Sequence, residues 1–345
     1  MHRIVSLAAA GLAVAIATFG APSAARAFDC PKAPEPVLTL AFGSRYSDAG
    51  EGSKKLDEDA SAKVDNALEP VDEFLRSLTE LANQVPEAGD DARAIADCAI
   101  GQIGDWARAN AMADLRDNAR LTAGARLAGF GLVLLQTVPQ SPTHPDLAPI
   151  RTWLEERMLD QMIYWEAEAP EGAARGNLRA WSALAGATIG TVLDDPVIRG
   201  WSAWSSTYVL CSAAPDGSLP QEMSRGKFAL HYQLHAIAPL TVSAALLSRR
   251  DIALADRCDG ALARVVNFAV NDIAQKGALS QAITGEKQTL FDGSDTLEGW
   301  QLAWLEAYLT IQFDPKLIAL ADAYRPLSYS KLGGDQTLLW SQMRW

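Results

Sequence analysis

The residues most able to do chemistry are gathered in one stretch, LPQEMSRGKFALHYQLHAIAPL, residues 219–240. It holds Arg225, Lys227, His231, Tyr232 and His235 among apolar residues that recur at helical spacing. Arg225 and Tyr232 are seven apart, so two turns of a continuous helix bring both to nearly one face. His235 lies three beyond Tyr232, close to that face, and Lys227, His231 and His235 form a second stripe at i, i+4 and i+8. A guanidinium, a phenol and two imidazoles side by side suit proton transfer at an anionic centre. The plain alternative is a core helix whose histidines and tyrosine find ordinary hydrogen-bond partners. HYQLH places two histidines four apart, but the glutamate of H-E-x-x-H is missing, so no metal site is expected.

The elements that must position these groups read as helices almost throughout. Apolar periodicity predicts helices over 67–84, 92–112, 120–135, 147–166, 177–192, 196–211, 221–249, 252–272, 299–312 and 316–323. The long one at 221–249 contains Pro239, where a break is expected. Gly, Pro, Asp and Asn mark the connections, as in DDP at 194–196, APDGS at 214–218 and FDGSD at 291–295. No long alternating β-branched run is visible. The expectation is an all-α single domain over residues 28–345, a toroid of helical hairpins with a cleft at one end. Of the ten tryptophans, most are expected in the core, with the remainder available to stack on sugar rings. Residues 45–65, RYSDAGEGSKKLDEDASAKVD, are polar and Gly/Ser-rich, and read as a mobile loop, either a linker or a lid.

The first 27 residues read as an export signal: Arg3, an apolar run over 7–19, and Ala25-Arg26-Ala27 as the cleavage site. The run is too short for a membrane span, and no later segment has eighteen uninterrupted apolar residues. The expected product is a soluble, monomeric periplasmic protein. Its formal charge is −12, or −14 once Arg3 and Arg26 are lost with the signal. That balance argues against nucleic-acid binding. An acidic substrate would need the few cations gathered in a cleft. In an oxidising compartment the four cysteines allow two disulfides, and Cys30–Cys98 is expected to tie the N-terminal tail to the helices, leaving Cys211 and Cys258.

GNLRAW (176–181) and DGSLPQEMSRGKFALHY (216–232) together resemble the alginate lyase family of α/α-toroid polysaccharide lyases. In that family an N-N-H-x-Y-W motif opens a helix, and L-P-x-E-x-x-R followed by A-L-x-Y-H supplies an arginine and a tyrosine. DCP at 29–31, RYSDA at 45–49, DCAIGQIGDWA at 97–107 and RPLSYSKLGGDQTLLW at 325–340 resemble further family segments, in family order. The resemblance implies cleavage of a uronate polymer, chiefly mannuronate-rich alginate, by β-elimination without a cofactor. It implies that Asn177 hydrogen-bonds the substrate carboxylate, that Arg225 sits beside the catalytic Tyr232, and that Tyr46, Lys54 and Lys55 belong to a lid.

The match has one departure with consequences: the family histidine falls on Leu178 and its first asparagine on Gly176. Leucine can neither take a proton nor bind a carboxylate. Three outcomes stay open: Tyr232 acts as both base and acid, His231 or His235 takes the base role, or the protein binds saccharide without cleaving it. Arg179 is a candidate replacement in the carboxylate clamp, or else a solvated surface arginine. An inverting glycosidase is a further reading; it needs two carboxylic acids about 6.5–9.5 Å apart, for which Glu222, Glu298 and Glu306 are available.

Overall fold

The computed structural model describes residues 28–48 and 54–342. The expected export signal (1–27) and the tip of the expected lid (49–53) lie outside the described residues. In chain order the strand β1 (Thr39–Phe42) leads into helices α1 (Glu58–Gln84) and α2 (Ala92–Arg108), then β2 (Asp114–Asp117). There follow α3 (Asn118–Thr137), α4 (Leu147–Ala167), α5 (Asn177–Val192), α6 (Pro196–Leu210), α7 (Pro220–Met223), α8 (Ala229–Ser248) and α9 (Arg257–Ala274). The C-terminal part is shorter-pieced: α10 (Ala278–Thr284), α11 (Thr289–Asp292), α12 (Trp304–Leu309), α13 (Pro315–Asp322), β3 (Ser328–Tyr329), β4 (Gly334–Asp335) and α14 (Gln336–Gln342).

The helices form two layers around a main apolar core, with a small second cluster at Met223, Ala229 and Phe268. α1, α3, α5, α8 and α12 pack side by side in that succession, while α2 and α4 pair outside them, as do α6 and α9. The turn carrying β3 and β4 folds back onto α1 and α3, so the C-terminal segment closes on the first helices. α3 and α5 approach so closely that a Cβ on Gly124 would lie 2.6 Å from the Cα of Ser182. α3 is apolar enough to cross a bilayer, but 78% of its apolar window is buried within the fold. Seven tryptophans among the described residues are buried: Trp106, Trp153, Trp165, Trp181, Trp201, Trp304 and Trp340.

Several sequence expectations are corrected. α1 starts at Glu58, not at 67, because Asp57 caps it by accepting from Ala60 N, with Glu58 and Asp59 in the first turn favouring the positive helix end. The last eight residues of the expected 45–65 loop are therefore helix. The predicted helix 221–249 is interrupted: α7 ends at Met223, a 3-10 turn covers Gly226–Phe228, and α8 starts at Ala229. Gly226 causes this, with φ +60° and its Cα so close to Glu286 that a Cβ would meet Oε1 at 2.4 Å. Pro239, by contrast, does not break α8, which runs through it. Regular helix in α9 begins only after Cys258, Asp259 and Gly260, all left-handed. Strands exist after all, but they are too short to show a period of two: β1 pairs parallel to β2, Thr39 opposite Asp114, and β3 pairs antiparallel to β4.

Both cysteine pairs are bonded. Cys30–Cys98 ties the extended N-terminal segment to α2, and Cys211–Cys258 ties the end of α6 to the start of α9.

Candidate active site

α8 presents His231, Tyr232 and His235 on one half-buried face, while Leu230, Leu234, Ile237 and Ala238 are buried behind. Glutamines fix its entry. Gln233 accepts from Leu219 N and donates to Gly217 O, and Gln288 accepts from Leu230 N and donates to Gly226 O. These bonds place the turn that carries Arg225. The arginine is off the helix, yet its guanidinium carbon lies 3.9 Å from the centre of the Tyr232 ring. It also lies 4.8 Å from the Tyr46 ring. The Tyr46 and Tyr232 hydroxyls hydrogen-bond each other. Burial, then the neighbouring Tyr232, push the Tyr46 hydroxyl well above the usual phenol range, although Arg225 and Arg45 oppose this.

Tyr46 comes from a hairpin rather than a free loop. It bridges Leu56, Ser47 N donates to Lys55 O at 3.0 Å, and Asp57 N donates to Arg45 O at 2.8 Å. The Asp48 carboxylate accepts from Lys54 N and Lys55 N, and Arg45 anchors the hairpin on α1 through Ser61 and Asp65. Lys54 reaches Glu286 at 3.6 Å, whereas Lys55 is exposed. The hairpin thus bridges from α1 to the segment beneath Arg225.

His231 Nδ1 lies 3.7 Å from Asp295, and its ring faces Trp300. His235 packs on Trp181, with ring centres 5.2 Å apart. Burial holds the His235 imidazole well below its usual pKa, and His231, Lys331, Arg126 and Arg225 push the same way. His231 is lowered too, mainly by burial. Both rings are therefore held toward the neutral form, His231 against the pull of Asp295. A small cavity of about 10 Å³, room for roughly one water, opens between His231, His235, Trp300, Gln301 and Tyr329. The larger cavity of about 480 Å³ lies elsewhere, against Arg325, Pro326 and Leu338, away from these groups.

The floor beside His235 holds groups that sequence reasoning missed. Arg126 makes a two-pronged ion pair to Asp72, and Lys331 reaches the same carboxylate at 3.4 Å. Two cations thus share one anion. Burial pushes Lys331 down to about 8, with Arg126 adding to it and Asp72 opposing. Tyr329 stands between Trp181 and Trp300. A signal existed for Arg126, a charge set in the apolar run of α3 nearly two turns beyond Arg120. Lys331 and Tyr329 lay in the quoted segment at 325–340, but nothing local shows that it returns to α1 and α3.

Asn177 opens α5 and is turned toward Glu222. Its backbone N donates at 2.7 Å and its side-chain amide at 3.0 Å, while its buried Oδ1 has no partner among the described residues. Burial pushes the Glu222 carboxyl up to about 7, opposed by the two Asn177 bonds and by Arg225. Gly176 is needed here, since a Cβ would meet Glu222 Oε1 at 2.9 Å. Leu178 is partly buried and packs on the apolar core.

Two of the alternative readings find no support. Arg179 is neither a clamp on the substrate nor a solvated surface group. It is buried, ion-paired to Glu166, and donates to Ser205 Oγ at 3.2 Å. The carboxylates considered for a glycosidase are all engaged structurally. Glu222 holds Asn177, Glu298 caps the turn Gly299–Leu302, and Glu306 pairs with Arg325 and Thr337.

A family model described as alginate lyase matches residues 44–279. An alginate lyase of Pseudomonas paraeruginosa (strain DSM 24068 / PA7) is 25% identical over 324 residues, 91% of this chain and 86% of that one. A polysaccharide lyase of Stenotrophomonas maltophilia (strain K279a) is 25% identical over 317 residues, 90% of each chain. Among solved structures, a histidine-to-alanine variant of alginate lyase A1-III complexed with tetrasaccharide superimposes with a TM-score of 0.77 at 20% identity, covering 91% of this chain and 87% of that one. Alginate lyase A1-III from Sphingomonas species A1 gives a TM-score of 0.72 at 20% identity, with the same coverage.

Proposed function

Because the chain belongs to the alginate lyase family of polysaccharide lyases, we propose that it cleaves a mannuronate-rich or similar uronate polymer in the periplasm by β-elimination. The two layers of helices are read as the family's α/α toroid. Two disulfides suit an oxidising compartment, and the expected export signal suits the same address.

β-Elimination removes the proton on the carbon beside the carboxylate, forms a carbon–carbon double bond, and expels the glycosidic oxygen, which must be protonated. The proton is weakly acidic, so the carboxylate must be neutralised as enolate-like charge builds. In our reading Tyr232 removes the proton as phenolate and returns it to the leaving oxygen, so no net proton is exchanged. Arg225 stabilises the phenolate, and Tyr46 donates a hydrogen bond to it. Arg126 and Lys331 supply positive potential from the floor, and the hairpin with Lys54 and Lys55 covers the polymer. The observation that carries this reading is the Arg225 guanidinium 3.9 Å from the Tyr232 ring, with the Tyr46 hydroxyl bonded to that of Tyr232.

A second reading is saccharide binding without turnover. It is favoured by Leu178, whose apolar side chain packs on the core where the family places its histidine. One experiment separates the two. Mature protein is incubated with poly-mannuronate, poly-guluronate and poly-glucuronate, and ultraviolet absorbance of unsaturated ends is followed. Release from at least one polymer, lost in Tyr232→Phe, is expected. Binding without release from any would select the second reading.

A further inference from the structure

We propose that Trp204, Tyr208 and Arg175 form an outer saccharide subsite for a uronate polymer extending beyond the cleft. The proposal rests on the uronate-polymer reading of the cleft itself. α5 and α6 form a tight antiparallel hairpin through Leu193, Asp194 and Asp195, whose side chain caps α6. The end of α6 therefore returns to the end where α5 begins, which is where Asn177 sits. Arg175 lies two residues before Asn177 and donates from Nε to the Tyr208 hydroxyl at 3.3 Å.

Trp204 lies one turn from Tyr208, with ring centres 5.6 Å apart and planes at 38°. Its indole is 53% exposed, while seven other tryptophans are buried. Leaving so large an apolar face in water forgoes burial energy, and a saccharide face is one surface that recovers it.

The support beneath is built rather than incidental. Arg179, only 4% exposed, places its guanidinium 4.9 Å from the Tyr208 ring centre. Glu166 and Ser205 hold that guanidinium in place, and the Trp201 indole donates to Glu166 at 2.9 Å. Arg175 adds a second guanidinium 5.3 Å from the same ring. A buried, ion-paired arginine thus fixes a half-exposed tyrosine beside an open tryptophan. The Glu166 charge is answered by Arg179, and Arg175 remains exposed for a ligand carboxylate. Pyranose C–H faces stack on the indole, and the uronate carboxylate pairs with Arg175. Neutral polysaccharide would satisfy only the first contact.

The test uses full mature protein and native gels containing poly-mannuronate or a neutral polysaccharide, with turnover of a four-sugar uronate measured alongside. Trp204→Ala should weaken affinity for the polymer about tenfold and leave turnover of the short substrate and the thermal midpoint unchanged. Trp204→Tyr should recover most of the affinity, and Arg175→Ala should remove the preference for acidic over neutral polymer. Wild-type polymer affinity in Trp204→Ala would overturn the subsite alone. So would an equal loss on the four-sugar substrate, because the residue would then be acting through the fold. If wild-type protein binds no uronate polymer, the cleft reading falls as well.

Discussion

The two helix starts that meet at the site have been treated differently. The approach to α8 gathers charged and proton-bearing groups: Arg225 against Tyr232, Tyr46 bonded to it, His231 and His235 beside it. At the start of α5 the polar side chains, Asn177 and Arg179, are both tied to carboxylates. Asn177 is held by a buried glutamate, Gly176 makes room for that glutamate, and Leu178 joins the core. One side is arranged around charge that can move, and the other around charge that is held. In our reading α8 carries both proton transfers, and α5 positions the sugar.

The largest effect should come from Tyr232→Phe. It removes one oxygen from a half-buried side chain and leaves the ring under Arg225. Turnover should fall about 10³-fold or more, with polymer affinity and thermal midpoint near those of the wild type. If unsaturated product forms at the wild-type rate, the comparison has been drawn the wrong way round. Arg225→Ala should cost about 10²-fold in turnover. Arg225→Lys should recover little, because an ammonium lacks the planar face that lies on the Tyr232 ring. A full recovery would mean that charge alone matters.

The sequence showed the α8 side better than its geometry. The spacing of Arg225 and Tyr232 suggested one helix face, and the two do meet, but through a break at Gly226 that depends on Glu286, sixty residues on. Position was legible while path was not, because a left-handed glycine in an otherwise helical pattern gives little local warning. α1 began earlier than its apolar pattern because Asp57-Glu58-Asp59 is a cap signal with no hydrophobic residue in it. Arg179 illustrates the opposite failure: motif spacing put it near the carboxylate clamp, yet Glu166, on the preceding helix, took it. The floor cluster of Asp72, Arg126 and Lys331 joins three distant segments, so no window of sequence could show it.

A smaller effect sharpens the account of α5. Asn177→Ala should lower turnover about tenfold, mostly as a higher KM, since in our reading the residue helps hold the substrate carboxylate and moves no proton. A loss as large as that of Tyr232→Phe would give α5 a direct part in the chemistry.

The smallest effect appears in stability, and the two sides should show it with opposite sign. The Glu222 carboxyl is raised to about 7 in the folded protein, against about 4.3 in an unfolded chain. The folded state then binds the proton more tightly, so this contribution is present below the unfolded value and is lost as pH rises through 7. His235 is lowered by burial and by the surrounding cations. Here the unfolded state binds the proton more tightly, so stability is complete above about 6.5 and is lost as pH falls below it. Thermal midpoints measured from about pH 5 to pH 8 should therefore change by a few degrees in opposite directions for two variants. Glu222→Gln should gain on the wild type toward pH 8, and His235→Gln should gain toward pH 5. If both variants track the wild type at every pH, neither group is held away from its ordinary titration. The contrast between a side that holds charge and a side that moves it would then have to rest on turnover alone.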